Sequence, residues 1–175
     1  MSSRRQVLKQ LVAMGALAGL SALPRAQAAT PEAKASAVGR YHMPDEAGPQ
    51  ARVWVAFGAS RDIWGRNYKD VQATIGRLVQ AMAPHTEVNV LCREEEEALA
   101  RQLCGEGSTR FIHAELDDIW LRDTGGVFVR NGEGELGLVD FNFNGWGDKQ
   151  EHEQDGGVAE WVSTQADAHY LQSRL

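Results

Sequence analysis

The chain has 175 residues, 43% of them apolar, which allows one domain with a core of its own and an ordinary globular composition. Its formal net charge is −6, and it becomes −10 when residues 1–28 are set aside, because that segment holds Arg4, Arg5, Lys9 and Arg25 and no acid. An acidic surface repels phosphate backbones and anionic lipid, so nucleic acid and membrane surfaces are excluded as natural partners, whereas small cations are attracted; the same charge also serves solubility.

Residues 1–28 have the layout of an export signal: Arg4-Arg5, an apolar run over residues 11–23, and Ala26-Gln27-Ala28 as a small-x-small cleavage site. The stretch Ser3-Arg4-Arg5-Gln6-Val7-Leu8-Lys9 fits the twin-arginine form, which carries folded proteins to the periplasm or beyond. A membrane anchor asks for about 20 apolar residues, more than this run offers. Residues 29–40 are small, polar and aperiodic, and read as a disordered arm.

Order is expected from Tyr41 onward, with residues 41–175 forming one domain. Residues 53–57 read as a strand and Arg61-Asp62-Ile63-Trp64 as a loop; Tyr68, Val71, Ile75, Leu78, Val79 and Met82 then recur at helical spacing and stop before Pro84. Residues 88–91 are a second strand. Four acids at 94–97 open a second helix, where they favour the positive end of its dipole, and it runs through Ala98, Leu99 and Leu103 to Gly105. Residues 109–113 are a third strand. A hairpin follows, 127–130 and 135–141 joined by Asn131-Gly132-Glu133-Gly134, and a short helix lies around 158–163. Strands and helices in this order call for an α/β fold with mixed sheets. Cys92 and Cys104 sit at the end of a strand and of a helix with no spacing that fixes their separation; free buried thiols are favoured over a pair, and neither has the setting of a nucleophile.

Between the third strand and the hairpin lies Asp117-Asp118-Ile119-Trp120-Leu121-Arg122-Asp123-Thr124-Gly125-Gly126. A guanidinium is always protonated and presents a flat fork of donors, so its site needs a carboxylate for the fork and an aromatic face for stacking. Trp120 and Asp123 supply one of each. Plainer roles are open to both: Trp120 as a core or rim tryptophan, and Asp123 as a turn-capping side chain. Arg122 would repel a cation and reads as structural, paired with Asp117, Asp118 or another acid.

The pattern Trp120-Leu121-Arg122-Asp123-Thr124-Gly125, followed by Phe141-Asn142-Phe143-Asn144-Gly145-Trp146-Gly147 and preceded by His42-Met43-Pro44-Asp45-Glu46-Ala47-Gly48-Pro49, resembles the agmatine deiminase and bacterial (Porphyromonas-type) peptidyl-arginine deiminase family. Gly126 departs from it, standing where the family carries proline. The resemblance implies a pentein-type α/β propeller, five blades around a central channel, of which this chain would hold roughly the first two. It implies a C–N hydrolase that takes agmatine to N-carbamoylputrescine and ammonia through a covalent amidino-cysteine, with peptidyl-arginine as the alternative substrate. Asp123 matches the family's guanidinium-binding aspartate and Trp120 the tryptophan beside it. Asn142, Asn144 and Trp146 are read as lining the same channel, with turn formation as their other explanation.

The family's His-x-Asp motif and late cysteine have no counterpart in the 175 residues, so the nucleophile, histidine and second aspartate are expected beyond Leu175 and the chain is expected to be an inactive N-terminal piece. The rival class is a non-catalytic exported binder of guanidinium or polyamine cations. Asp148, Glu151, His152, Glu153 and Asp155 cluster without the spacing of a zinc or calcium site, and the absence of phosphate-loop and dinucleotide motifs indicates neither metal nor organic cofactor.

Overall fold

The computed structural model describes residues 41–173; the expected export signal and arm lie outside the described residues. Two sheets form. A parallel sheet of β2 (Arg52–Ala56), β3 (Glu87–Cys92) and β4 (Thr109–His113) runs in that order, with Val55 opposite Val90 and Leu91 opposite Ile112. Helices α1 (Tyr68–Met82) and α2 (Glu97–Cys104) make the crossovers that parallel neighbours require. The second sheet has the order β1 (Tyr41–His42), β5 (Val127–Asn131), β6 (Leu136–Asp140), β7 (His169–Gln172), antiparallel as far as β6 and parallel between β6 and β7. Helix α3 (Val158–Gln165) bridges the last pair.

Side chains alternate across a strand, and here both faces of the parallel sheet are covered. Val55, Phe57, Val88, Val90 and Cys92 pack with Val79 of α1 and with Ala100 and Cys104 of α2. On the opposite face Ala56, Leu91 and Ile112 pack with Leu138 of β6 and Val158, Ala159 and Val162 of α3, so one apolar layer joins the two sheets. Each large side chain in these layers contributes about 1.5–3 kcal/mol by leaving water.

Where the chain leaves β2 and β4 the backbones run nearly in contact. A Cβ on Gly58 would lie 2.6 Å from the Asp118 carbonyl oxygen and 2.9 Å from Leu116 Cβ, so only glycine fits there. Arg93, just past β3, fastens the same junction. Its Nε donates to the Leu116 carbonyl and its Nη2 to the Gly58 carbonyl, both at 2.8 Å, while Nη1 pairs with Glu96 at 2.9 Å.

The expected strands and helices are present within a residue or two of their predicted bounds. Arg61–Trp64 is a correction: it forms one helical turn, capped by the Ser60 hydroxyl accepting from the Ile63 N–H, where a loop was expected. Strand β7 was not expected, and its parallel pairing with β6 makes the second sheet more than a hairpin. Cys92 and Cys104 are free and buried. Among the described residues no helix is long and apolar enough to cross a membrane.

Candidate functional site

Loops that leave the C-terminal ends of β2, β4 and β6 converge, as ligand-bearing loops of parallel sheets commonly do. They contribute Trp64, Trp120 and Trp146. The Trp64 and Trp120 rings are stacked, 6.1 Å between centroids with 30° between planes, and Trp146 meets Trp120 edge-on at 6.1 Å. Phe143 supports Trp146 from the side at 4.9 Å. Trp120 keeps 40% of its surface exposed, so it is neither a core residue nor free in solvent.

The loop before Trp120 is held by a reciprocal pair of acids. Asp117 accepts from the Gln154 and Asp155 N–H groups at 2.8 and 3.1 Å, and Asp155 accepts from the Asp117 and Asp118 N–H groups at 2.9 and 3.4 Å. Burial of Asp155 raises its carboxyl above the ordinary aspartate value, against those two hydrogen bonds. Asp118 is 2% exposed; its Oδ1 accepts from Trp64 Nε1 at 2.6 Å and its Oδ2 from Gln150 Nε2 at 3.3 Å.

Past Trp120 the chain makes one helical turn, Leu121–Thr124, its N–H groups of Asp123 and Thr124 returning to the Trp120 carbonyl. Asp123 is the third residue of this turn, and Trp120 is its N-cap, with φ −79° and ψ 54°. Asp123 is exposed, and its carboxylate has no hydrogen bond or ion pair among the described residues. Arg122 is likewise exposed and unpaired among them, which corrects the expectation that it binds Asp117 or Asp118; those carboxylates are committed to backbone N–H groups, Trp64 and Gln150.

The third loop is strained. Trp146 has φ 56°, between Gly145 and Gly147 at φ 62° and 81°, and Asp148 follows at 57°. Non-glycine residues rarely hold such angles, and they collect at functional positions. Asn144 accepts the Gly147 N–H at 2.9 Å and Asn142 exchanges hydrogen bonds with Gln172 and Ser173 at 2.9 and 3.2 Å, so both asparagines shape the loop. Of the five residues singled out from sequence, Trp120 and Trp146 are in ring contact and Asp123 shares the turn of Trp120. Trp64 and Asp118 were missed as parts of the cluster. The available signals were the position of Trp64 just after a strand, like that of Trp120, and the adjacency of Asp118 to the motif.

Residues 42–175 match the family model of the Porphyromonas-type peptidyl-arginine deiminases. The chain belongs to that family. Agmatine deiminases of Pseudomonas putida and Stutzerimonas stutzeri are 37% and 34% identical to it, over 61% and 69% of this chain and 29% and 32% of theirs. The solved agmatine deiminase of Enterococcus faecalis superposes with a TM-score of 0.72 at 26% identity, covering 78% of this chain and 39% of its own. A C. jejuni agmatine deiminase solved with substrate bound shares the fold, with a TM-score of 0.67 at 17% identity. This deiminase-family chain therefore spans about a third of the length of these curated relatives, and its α/β architecture is that of its pentein neighbours.

Proposed function

We propose that the described residues form one wall of a guanidinium-binding site in a deiminase that hydrolyses agmatine to N-carbamoylputrescine and ammonia. The observation that carries this reading is the Asp123 carboxylate, exposed and without a partner among the described residues, in the turn that the half-exposed Trp120 caps. The carboxylate takes the N–H fork of the substrate while the indole covers its plane. In the pentein arrangement these two sheets would correspond to roughly the first two of five blades.

The reaction replaces one guanidinium nitrogen by oxygen. A thiolate adds to the central carbon, ammonia leaves with a proton supplied by histidine, and water then displaces the thiol from the amidino-cysteine with the same histidine as base. Neither cysteine present suits that role. Burial raises both the Cys92 and Cys104 thiols to about 11, which keeps them protonated at neutral pH. In this reading the nucleophile, the histidine and a second aspartate are supplied by residues outside these 175, and export along the twin-arginine route would present the site to peptidyl-arginine as well as to free agmatine.

The test is a titration of the 175-residue chain followed by the indole N–H cross-peaks in nitrogen-proton correlation spectra. Agmatine should move the Trp120 signal and putrescine, which lacks the guanidinium, should not; a blocked arginine peptide tells the alternative substrate apart. Asp123→Asn should weaken agmatine binding about fivefold, the difference between a charge-assisted and a neutral hydrogen bond at an exposed site. Equal titration of the variant and the parent would refute the assignment, and equal response to putrescine would favour a general polyamine binder.

A further inference from the structure

We propose that Asp118 is a positioning residue for this wall: its buried carboxylate cross-ties the Trp64 loop to the segment after Trp146 and thereby fixes the face that Trp120 offers. The substrate part of this inference rests on the reading just given. The geometric part does not.

Asp118 is 2% exposed, and no cation pairs with it among the described residues. A carboxylate so placed is costly unless its oxygens are satisfied by fixed donors. Each oxygen has one, and the two come from different loops: the Trp64 indole N–H from the exit of β2, and the Gln150 amide from the loop after β6. The Asp118 N–H is in turn bound to Asp155, so the whole tie is referred to the start of α3. Trp64 then stacks on Trp120, and Trp146, four residues before Gln150, meets Trp120 at 85° between planes. Trp120 itself makes no side-chain hydrogen bond to a described residue, so its orientation depends on these two neighbours. One carboxylate thus holds the Trp64 ring directly and tethers the segment that follows Trp146.

Three variants of the 175-residue chain separate this from general stabilisation. Asp118→Asn keeps an acceptor for Trp64 and, with the Gln150 amide turned over, a partner for Gln150; Asp118→Ala removes both; Trp64→Phe keeps a stacked ring and removes the donor. The near-ultraviolet circular dichroism of the tryptophans should be retained in Asp118→Asn and reduced by at least half in Asp118→Ala. Agmatine affinity, read from the Trp120 indole cross-peak, should stay within twofold in Asp118→Asn and fall at least fivefold in Asp118→Ala and in Trp64→Phe. If Asp118→Ala does not fold, Trp64→Phe reads the same link. Folded Asp118→Ala or Trp64→Phe with parental affinity would overturn the inference, as would an Asp118→Asn variant as weak as Asp118→Ala with its dichroism intact, which would make the charge and not the tie decisive. Loss of the tryptophan signal in Asp118→Ala in a chain whose parent binds no agmatine would support the tie and sink the guanidinium reading.

Discussion

Replacing Gly126 by proline should unfold the loop that carries the site. Gly126 holds φ at 73°, and a Cβ on it would lie 2.3 Å from Leu138 Cδ2 and 2.8 Å from the Val139 carbonyl oxygen. The first neighbour is the end of a side chain in the apolar layer and the second is backbone of β6, paired with Val127 of β5. For Gly126→Ala the left-handed backbone costs about 1–2 kcal/mol and the forced overlap about 1–3 kcal/mol, together about 2–5 kcal/mol. Proline is worse because its ring fixes φ near −65°, so the peptide must turn through about 140° and the residues on either side must move with it.

Two other glycines of the hairpin calibrate these contributions. Gly134 has φ 85° with no atom within 4 Å of its would-be Cβ, so Gly134→Ala reads the backbone cost alone, about 1–2 kcal/mol. Gly132 has open space and no left-handed angle, and Gly132→Ala should fall within about 0.5 kcal/mol of the parent. Urea unfolding of the series, followed by far-ultraviolet circular dichroism, should therefore rank the losses 132, 134, 126-Ala, 126-Pro. A Gly126→Pro chain as stable as the parent would show that the left-handed assignment is wrong. Equal losses at 126 and 134 would show that β6 yields to the new methyl group.

Two further outcomes concern the support of the site. Arg93→Lys cannot serve the Leu116 and Gly58 carbonyls and Glu96 together, and leaving one buried carbonyl unpaired should cost about 1–3 kcal/mol, visible as a lowered thermal midpoint. Asp155 has its carboxyl raised, first by burial, so its folded form favours the proton: the penalty is absent below the unfolded value near 3.9 and grows as pH rises through the folded one. Asp155→Asn keeps the acceptor for the Asp117 and Asp118 N–H groups, so its stability relative to the parent should improve from pH 4 upward; a difference that does not change with pH in urea titrations would refute the assignment.

Much of the fold was legible because its signals are local. The helical recurrence of Val71, Ile75 and Val79 ends at a proline, and Asn131-Gly132-Glu133-Gly134 turns a hairpin with Gly134 in the left-handed region that such turns need. Strand β7 escaped because His169-Tyr170-Leu171-Gln172 has no apolar run of its own; it is made a strand by pairing with β6, a tertiary event. The site divided in the same way. Trp120 and Asp123 stand three residues apart and declare themselves, whereas Asp118 binds Trp64 across 54 residues of chain, a separation no spacing rule reaches. Arg122 was misjudged because nearby acids invite pairing, yet both were already taken by donors from elsewhere.

The exposure of the wall also fixes how strongly it can act. An exposed ion pair contributes about 0–1 kcal/mol and a cation over an exposed indole about 0.5–1 kcal/mol, while association itself costs several times that sum. Trp64 stacks on Trp120, Trp146 meets it at 85° between planes and 40% of its surface stays exposed, so in the proposed reading only part of the ring is left for a flat cation. Affinity of these residues alone should therefore lie in the millimolar range or weaker, which is why Asp123→Asn is expected to cost about fivefold and why spectroscopy of the indole signals is the fitting measurement. In the proposed reading, the Asp123 contact would strengthen only when water is excluded from the opposite face of the cation. The proposed tie through Asp118 acts in the same direction, because a ring held in one orientation by buried hydrogen bonds loses less entropy when the cation arrives.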